Sequence, residues 1–184
     1  MAALTAARNT WHERTRMGDT LRVPMAADAV IYQGGMVCAD ADGYAVAAAD
    51  TANYKVVGVA CEDPQNPARS IYDNDGGDDG AMYVVMRCAG RFRFDYAAPL
   101  TGTPIDQDMM CAKAYVQDDQ TVSVHRFDSV NDVRAGTVVR LPAMTLALDP
   151  QAEFDSDEIE IELGGEPFDY EGDASTTTTT TEQS

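Results

Sequence analysis

Apolar and polar residues alternate in short runs through the middle of this chain. Arg91–Tyr96 (RFRFDY) places Phe92, Phe94 and Tyr96 on one face and Arg91, Arg93 and Asp95 on the other, the period of a half-buried β-strand. Thr121–His125 (TVSVH) alternates in the same way, and Tyr54–Cys61 (YKVVGVAC) is a strongly apolar strand interrupted by Gly58. From Val23 to Arg140 there are sixteen Val and a single Leu, Leu100, a β-branched bias that suits strands. Turn residues divide these runs. Gly34–Gly35 follows Ile31–Tyr32, and Asp42–Gly43 separates Met36–Ala39 from Tyr44–Ala47, with glycine supplying a positive φ. Ala89–Gly90 joins Met82–Cys88 to Arg91–Tyr96, and Gln117–Gln120 joins a hairpin that begins at Met109–Ala112 to its return strand. Gly136 opens a last strand, Thr137–Leu141, ended by Pro142, while 64–80 (PQNPARSIYDNDGGDDG) reads as a loop. Met36-Val37-Cys38-Ala39 and Met109-Met110-Cys111-Ala112 resemble each other and hint at duplicated hairpins.

Short strands at this spacing predict an all-β fold, a small antiparallel barrel or sandwich. The core is expected over residues 31–148, with an extended N-terminal arm at 1–30 and an acidic C-terminal tail at 149–184. Within the tail, Asp157–Leu163 (DEIEIEL) alternates strictly. It reads either as a solvated acidic segment or as an added edge strand pairing with its own sheet or a neighbour's. The six threonines from Thr176 to Thr181 read as a flexible, low-complexity end.

Charge sharpens the division. The chain carries 31 acids and 13 bases, and twelve of the acids and none of the bases lie beyond Arg140. No basic patch suits nucleic acid, and no apolar run of eighteen residues suits a membrane span. The first residues lack the apolar stretch of a secretory signal, so the protein is expected to be made and used inside a cell, or assembled there into something larger. Acids are mostly Asp, and Lys55 and Lys113 are the only lysines, a composition that suits a high-salt environment in which carboxylates are screened, the other reading being an acidic protein at ordinary salt.

Candidate chemistry is sparse. The four cysteines, Cys38, Cys61, Cys88 and Cys111, form no close pair and read as small, mostly buried apolar residues. His12 and His125 form no metal-ligand spacing, and neither a nucleophile elbow nor a phosphate-binding loop is present. Adjacent acids such as Asp118–Asp119 point to opposite faces of a strand and make no acid/base pair. No enzyme and no cofactor is expected. The Asp73–Gly80 loop reads as a hydrated hairpin loop. A loose cation site on Asp73, Asp75, Asp78 and Asp79 is the alternative, because the glutamate that an EF-hand needs at its twelfth position is Val84 or Met86 here. In the arm, Trp11 is the only Trp. With Arg14, Arg16 and Arg22 it forms a candidate docking segment, the other reading of the arm being disorder.

The order of these elements resembles a tailed-phage family of capsid cement, or head decoration, proteins. The likeness rests on the hairpin from Gly35-Met36-Val37-Cys38 to Gly43-Tyr44-Ala45-Val46, on Val56-Val57-Gly58-Val59-Ala60, and on a strand pair around Gly90 within Tyr83–Phe92. A second hairpin and the closing Ala135–Leu141 complete it. The resemblance implies a structural protein on the outer surface of a virion. It would be made in the host cytoplasm, form a homotrimer, and bridge subunits of the major capsid protein. The composition points to a halophilic host. The alternative is a cation- or glycan-binding β module on a virion surface, with Tyr72 and Tyr83 as sugar platforms.

Overall fold

The structure is a computed structural model and describes residues 12–13, 20–97, 109–124, 129–141 and 158–163. Its thirteen strands are β1 (His12–Glu13), β2 (Thr20–Pro24), β3 (Val30–Tyr32), β4 (Met36–Ala39), β5 (Ala45–Ala47), β6 (Lys55–Ala60), β7 (Ile71–Asp73), β8 (Tyr83–Arg87), β9 (Gly90–Tyr96), β10 (Lys113–Val116), β11 (Thr121–Ser123), β12 (Arg134–Arg140) and β13 (Glu158–Leu163). Among the described residues there is no α-helix, so the chain is all-β.

Five strands close on themselves in the order β9-β11-β10-β12-β13, with β13 returning to β9. A barrel this small is filled by its own side chains. Phe92 and Phe94 of β9, Val138 of β12, and Ile159 and Ile161 of β13 are all buried within it. β9 carries β13 along one edge and shares the other between β1, at Arg91–Phe92, and β11, at Asp95–Tyr96. The β9–β11 pairing is parallel, so the barrel is not purely antiparallel.

The remaining strands form a five-stranded sheet, β2-β8-β6-β4-β5, and a small ribbon, β3-β7. A second core lies here, built on Met25, Ile31, Val37, Tyr72, Val84 and Met86. β4 and β6 form the wall between the two cores. Met36, Cys38 and Val59 point into the barrel core, while Val37 and Ala60 point into the other. Strands covered on both faces need apolar residues at successive positions, which is why these two read as continuous runs. The β10–β11 turn fastens the halves together, since Met36 N donates to the Asp119 carbonyl at 2.7 Å.

The first hairpin forms as its sequence predicts. β4 and β5 pair, Gly43 sits at φ +89°, and Asp40 Oδ1 accepts from the backbone N–H of Asp42 and Tyr44. Other expectations need correction. β8 and β9 do not pair; the chain leaves the sheet after β8 and enters the barrel at Gly90, whose φ is +130°. The repeat of Met36–Ala39 at Met109–Ala112 is not structural. The second copy is a turn with Cys111 at φ +65°, and the strand starts only at Lys113. The 64–80 segment contains β7, which pairs with β3 through Ile31↔Tyr72.

The body also extends beyond 31–148 on both sides. β2, within the expected arm, pairs with β8 along its whole length. β13, within the expected tail, is neither a solvated segment nor an edge strand. It is held on both sides, by β9 and by β12. Of the four cysteines only Cys38 is buried; Cys61 and Cys88 are half-buried, Cys111 is exposed, and none forms a disulfide.

Candidate interaction surface

Of the proposed docking residues, Trp11, Arg14 and Arg16 lie outside the described residues, as does His125. Arg22 is described and lies on β2, at the end of the five-stranded sheet. The phase of the β2–β8 ladder follows from one bond. Met25 N donates to the Met82 carbonyl at 2.9 Å. In an antiparallel pair the direction of hydrogen bonding alternates, so Val23 and Leu21 also turn their N–H and C=O groups toward β8. Thr20 and Arg22 turn theirs away. Pro24 has no N–H, and beyond it Met25 bridges Ala45 of β5, with Ala26 N donating to the Ala45 carbonyl at 3.0 Å. The open edge is therefore Thr20–Val23.

The side chain of Arg22 is 48 % exposed and its Nη2 lies 3.3 Å from Asp63 Oδ1. Arg69 Nη1 approaches the other oxygen, Oδ2, at 3.7 Å. Asp63 Oδ1 also accepts from Gln65 N at 3.0 Å, which fixes the carboxylate in a turn. One buried carboxylate thus sits between two guanidiniums, and the cluster keeps a positive charge at the surface of an acidic chain. Arg69 lies over the ring of Tyr72, 5.3 Å from its centroid. The Tyr72 hydroxyl donates to the Cys61 carbonyl at 2.6 Å, and burial pushes its pKa up to about 12. Burial also raises the Cys61 thiol, against the partial pull of Arg87, which hydrogen-bonds it. Sequence reasoning singled out Arg22 but missed Asp63 and Arg69. Both come from the loop after β6, and only the fold brings them to β2.

Tyr72 is fully buried and cannot serve as a sugar platform; Tyr83, opposite Pro24, is 54 % exposed. The Asp-rich loop is a set of turns. Asp73 Oδ1 accepts from Asp75 N, Asp79 Oδ1 accepts from Ala27 N, and buried Asn74 donates to the carbonyls of Ala26 and Asp78. Asp73, Asp75, Asp78 and Asp79 do not converge. Among the described residues no three of His, Cys, Asp and Glu are placed to hold a metal ion.

Two further surface features lie elsewhere. Val130 is 89 % exposed on a loop pinned by Asp50, whose carboxylate accepts from Ser129 Oγ, Val130 N and Asn131 N. An open cleft of about 240 Å³ separates the sheet from the barrel, lined by Val56, Gly58, Cys88, Arg134, Gly136 and Glu162 among others. Its charged residues, Arg134 and Glu162, stand on the paired barrel strands β12 and β13, facing the apolar β6 wall.

No family model, no curated protein and no solved structure matches this chain.

Proposed function

We propose that this chain is a structural protein of a viral capsid, decorating the outer shell and bridging subunits of the major capsid protein, as a homotrimer on a virus of a halophilic host. The observation that carries the reading is the combination of a two-core β body with the β2 edge left open among the described residues, beside an excess arginine charge. Such a body suits a protein whose work is to join surfaces. Each bound copy removes area from water and favours the closed shell by mass action. The likeness in element order to capsid cement proteins supports the same reading through the first hairpin and β6, though not through the strand pair around Gly90, which does not form. For the cation- or glycan-binding alternative, the Asp73 and Asp79 carboxylates hold turns and Tyr72 is buried, which leaves Tyr83 as its exposed aromatic residue.

The test is sedimentation with shells assembled from the major capsid protein of the same virus. Purified protein should pellet with them and raise the temperature at which they open. A second preparation, starting at Thr20 so that β2 is kept, should lose most of this binding if Trp11, Arg14 and Arg16 dock. Absence of the wild-type protein from the pellet, or from the exterior of intact virions, would overturn the proposal.

A further inference from the structure

The pairing of β9 with β13 shows how this molecule holds an acidic strand. β9 alternates arginine with phenylalanine and β13 alternates glutamate with aliphatic residues, in the register Arg93↔Glu160, Phe92↔Ile161 and Arg91↔Glu162. Charged residues meet on one face of the pair and apolar residues on the other. β2 carries the same alternation in Leu21-Arg22-Val23, but its outward edge has no strand against it among the described residues. Leu21 is 56 % exposed, so both halves of the pattern are available.

We propose that the open edge of β2, Thr20–Val23, docks an extended partner segment of alternating acidic and aliphatic residues. The outward N–H and C=O groups of Thr20 and Arg22 pair with its backbone, Arg22 pairs with its carboxylate, and Leu21 packs against its aliphatic side chain. The charge balance permits this. Asp63 retains Arg69 when Arg22 turns to a second carboxylate, so no buried acid is left unpaired. Pro24 and the Met25–Ala45 bridge close the edge at its far end, which sets the register of the incoming strand and keeps the contact short. The inference rests on reading this chain as a protein that binds another protein, and it gives that partner's docking segment a chemistry.

The probe is a capped peptide of sequence DEIEIEL, titrated into isotope-labelled full-length protein at about 0.15 M salt. The expected result is a saturable shift of the Thr20–Val23 amides, with those of Phe92 and Val138 unchanged. Arg22→Glu removes the cation, and Thr20→Pro removes one outward N–H without touching the bonds to β8. Arg22→Glu should weaken binding by about tenfold or more, the scale of one lost charge-assisted hydrogen bond, and Thr20→Pro by about fivefold, the scale of a neutral one. A peptide with lysine in place of each glutamate should not bind. Shifts confined to β9 and β12, no shift at all, or wild-type affinity in both variants would overturn the inference. Shell sedimentation separates it from the capsid reading. Wild-type protein that decorates shells no better than Arg22→Glu defeats the docking edge alone. Peptide binding at β2 by a protein that never decorates shells defeats the capsid reading alone.

Discussion

Glu160 lies opposite Arg93 across β13 and β9, its Oε2 4.0 Å from the arginine Nε, and it is 1 % exposed although it points away from the barrel interior. The pair marks the seam where a strand from the far end of the chain closes the barrel. A buried carboxylate is tolerated only beside its partner. Glu160→Ala takes this partner from Arg93 and should cost about 3 kcal/mol, while Glu160→Leu with Arg93→Leu should fall within about 1 kcal/mol of wild type or above it. Urea unfolding of the three proteins decides this. A single variant as mild as the double one would show that the pair is not coupled.

The apolar side of the same strand carries more of the closure. Ile159, Ile161 and Leu163 are all buried in the barrel core. Ile161→Ala should cost about 3 kcal/mol, and a chain ending at residue 157 should leave β9 and β12 with open edges. The shortened protein is expected to bind a hydrophobic dye and to unfold without a sharp transition in its barrel half. A sharp two-state transition at the wild-type temperature would contradict the role of β13.

Two glycines permit close backbone approaches around the cleft. A Cβ on Gly58 would collide with the Arg87 carbonyl oxygen, and one on Gly136 would lie 2.5 Å from that of Glu162. Backbone cannot swing aside as a side-chain tip can, so Gly58→Ala and Gly136→Ala should each cost about 1–3 kcal/mol. Gly43 has open space around it but sits at φ +89°, and Gly43→Ala should cost about 1 kcal/mol for conformation alone. Thermal melts of the three variants rank them.

Alkaline pH should destabilise the fold. Burial raises the Cys38 thiol from 9.0 to about 12, and the Tyr72 hydroxyl from 10.0 to about 12. Both groups keep their protons in the folded chain after the unfolded chain has released them. The unfolded state then binds fewer protons, so stability is full below pH 9 and falls between about 9 and 12, at up to about 1.4 kcal/mol per pH unit for each group. Cys38→Ala and Tyr72→Phe should each flatten the decline in urea midpoint between pH 8 and 10.5. A midpoint that does not move over that range would count against both assignments. Thiol titration of folded protein at pH 8 should modify exposed Cys111 first and leave Cys38 untouched.

The net charge of −18 makes a salt prediction. Raising potassium chloride from about 0.15 M to about 3 M cuts the screening length from about 8 Å to below about 3 Å and removes most carboxylate repulsion. The melting temperature should rise with salt. A flat or falling profile would argue against adaptation to a saline host.

Local pattern was enough to establish the strand class, the alternating face of β9, the Asp40–Gly43 hairpin turn and the apolar runs of β4 and β6. These depend on neighbours in sequence, and period-two alternation reports which face is wet. The partners of each strand were decided only by the tertiary structure. Nothing local tells β8 and β9 that they belong to different sheets, or tells DEIEIEL that Arg91 and Arg93 await it. The same holds for the Arg22–Asp63–Arg69 cluster, whose members are 41 residues apart at the first link. Alternation specifies a surface, but pairing between distant surfaces is settled by which closure buries the most apolar area while leaving each buried charge a partner.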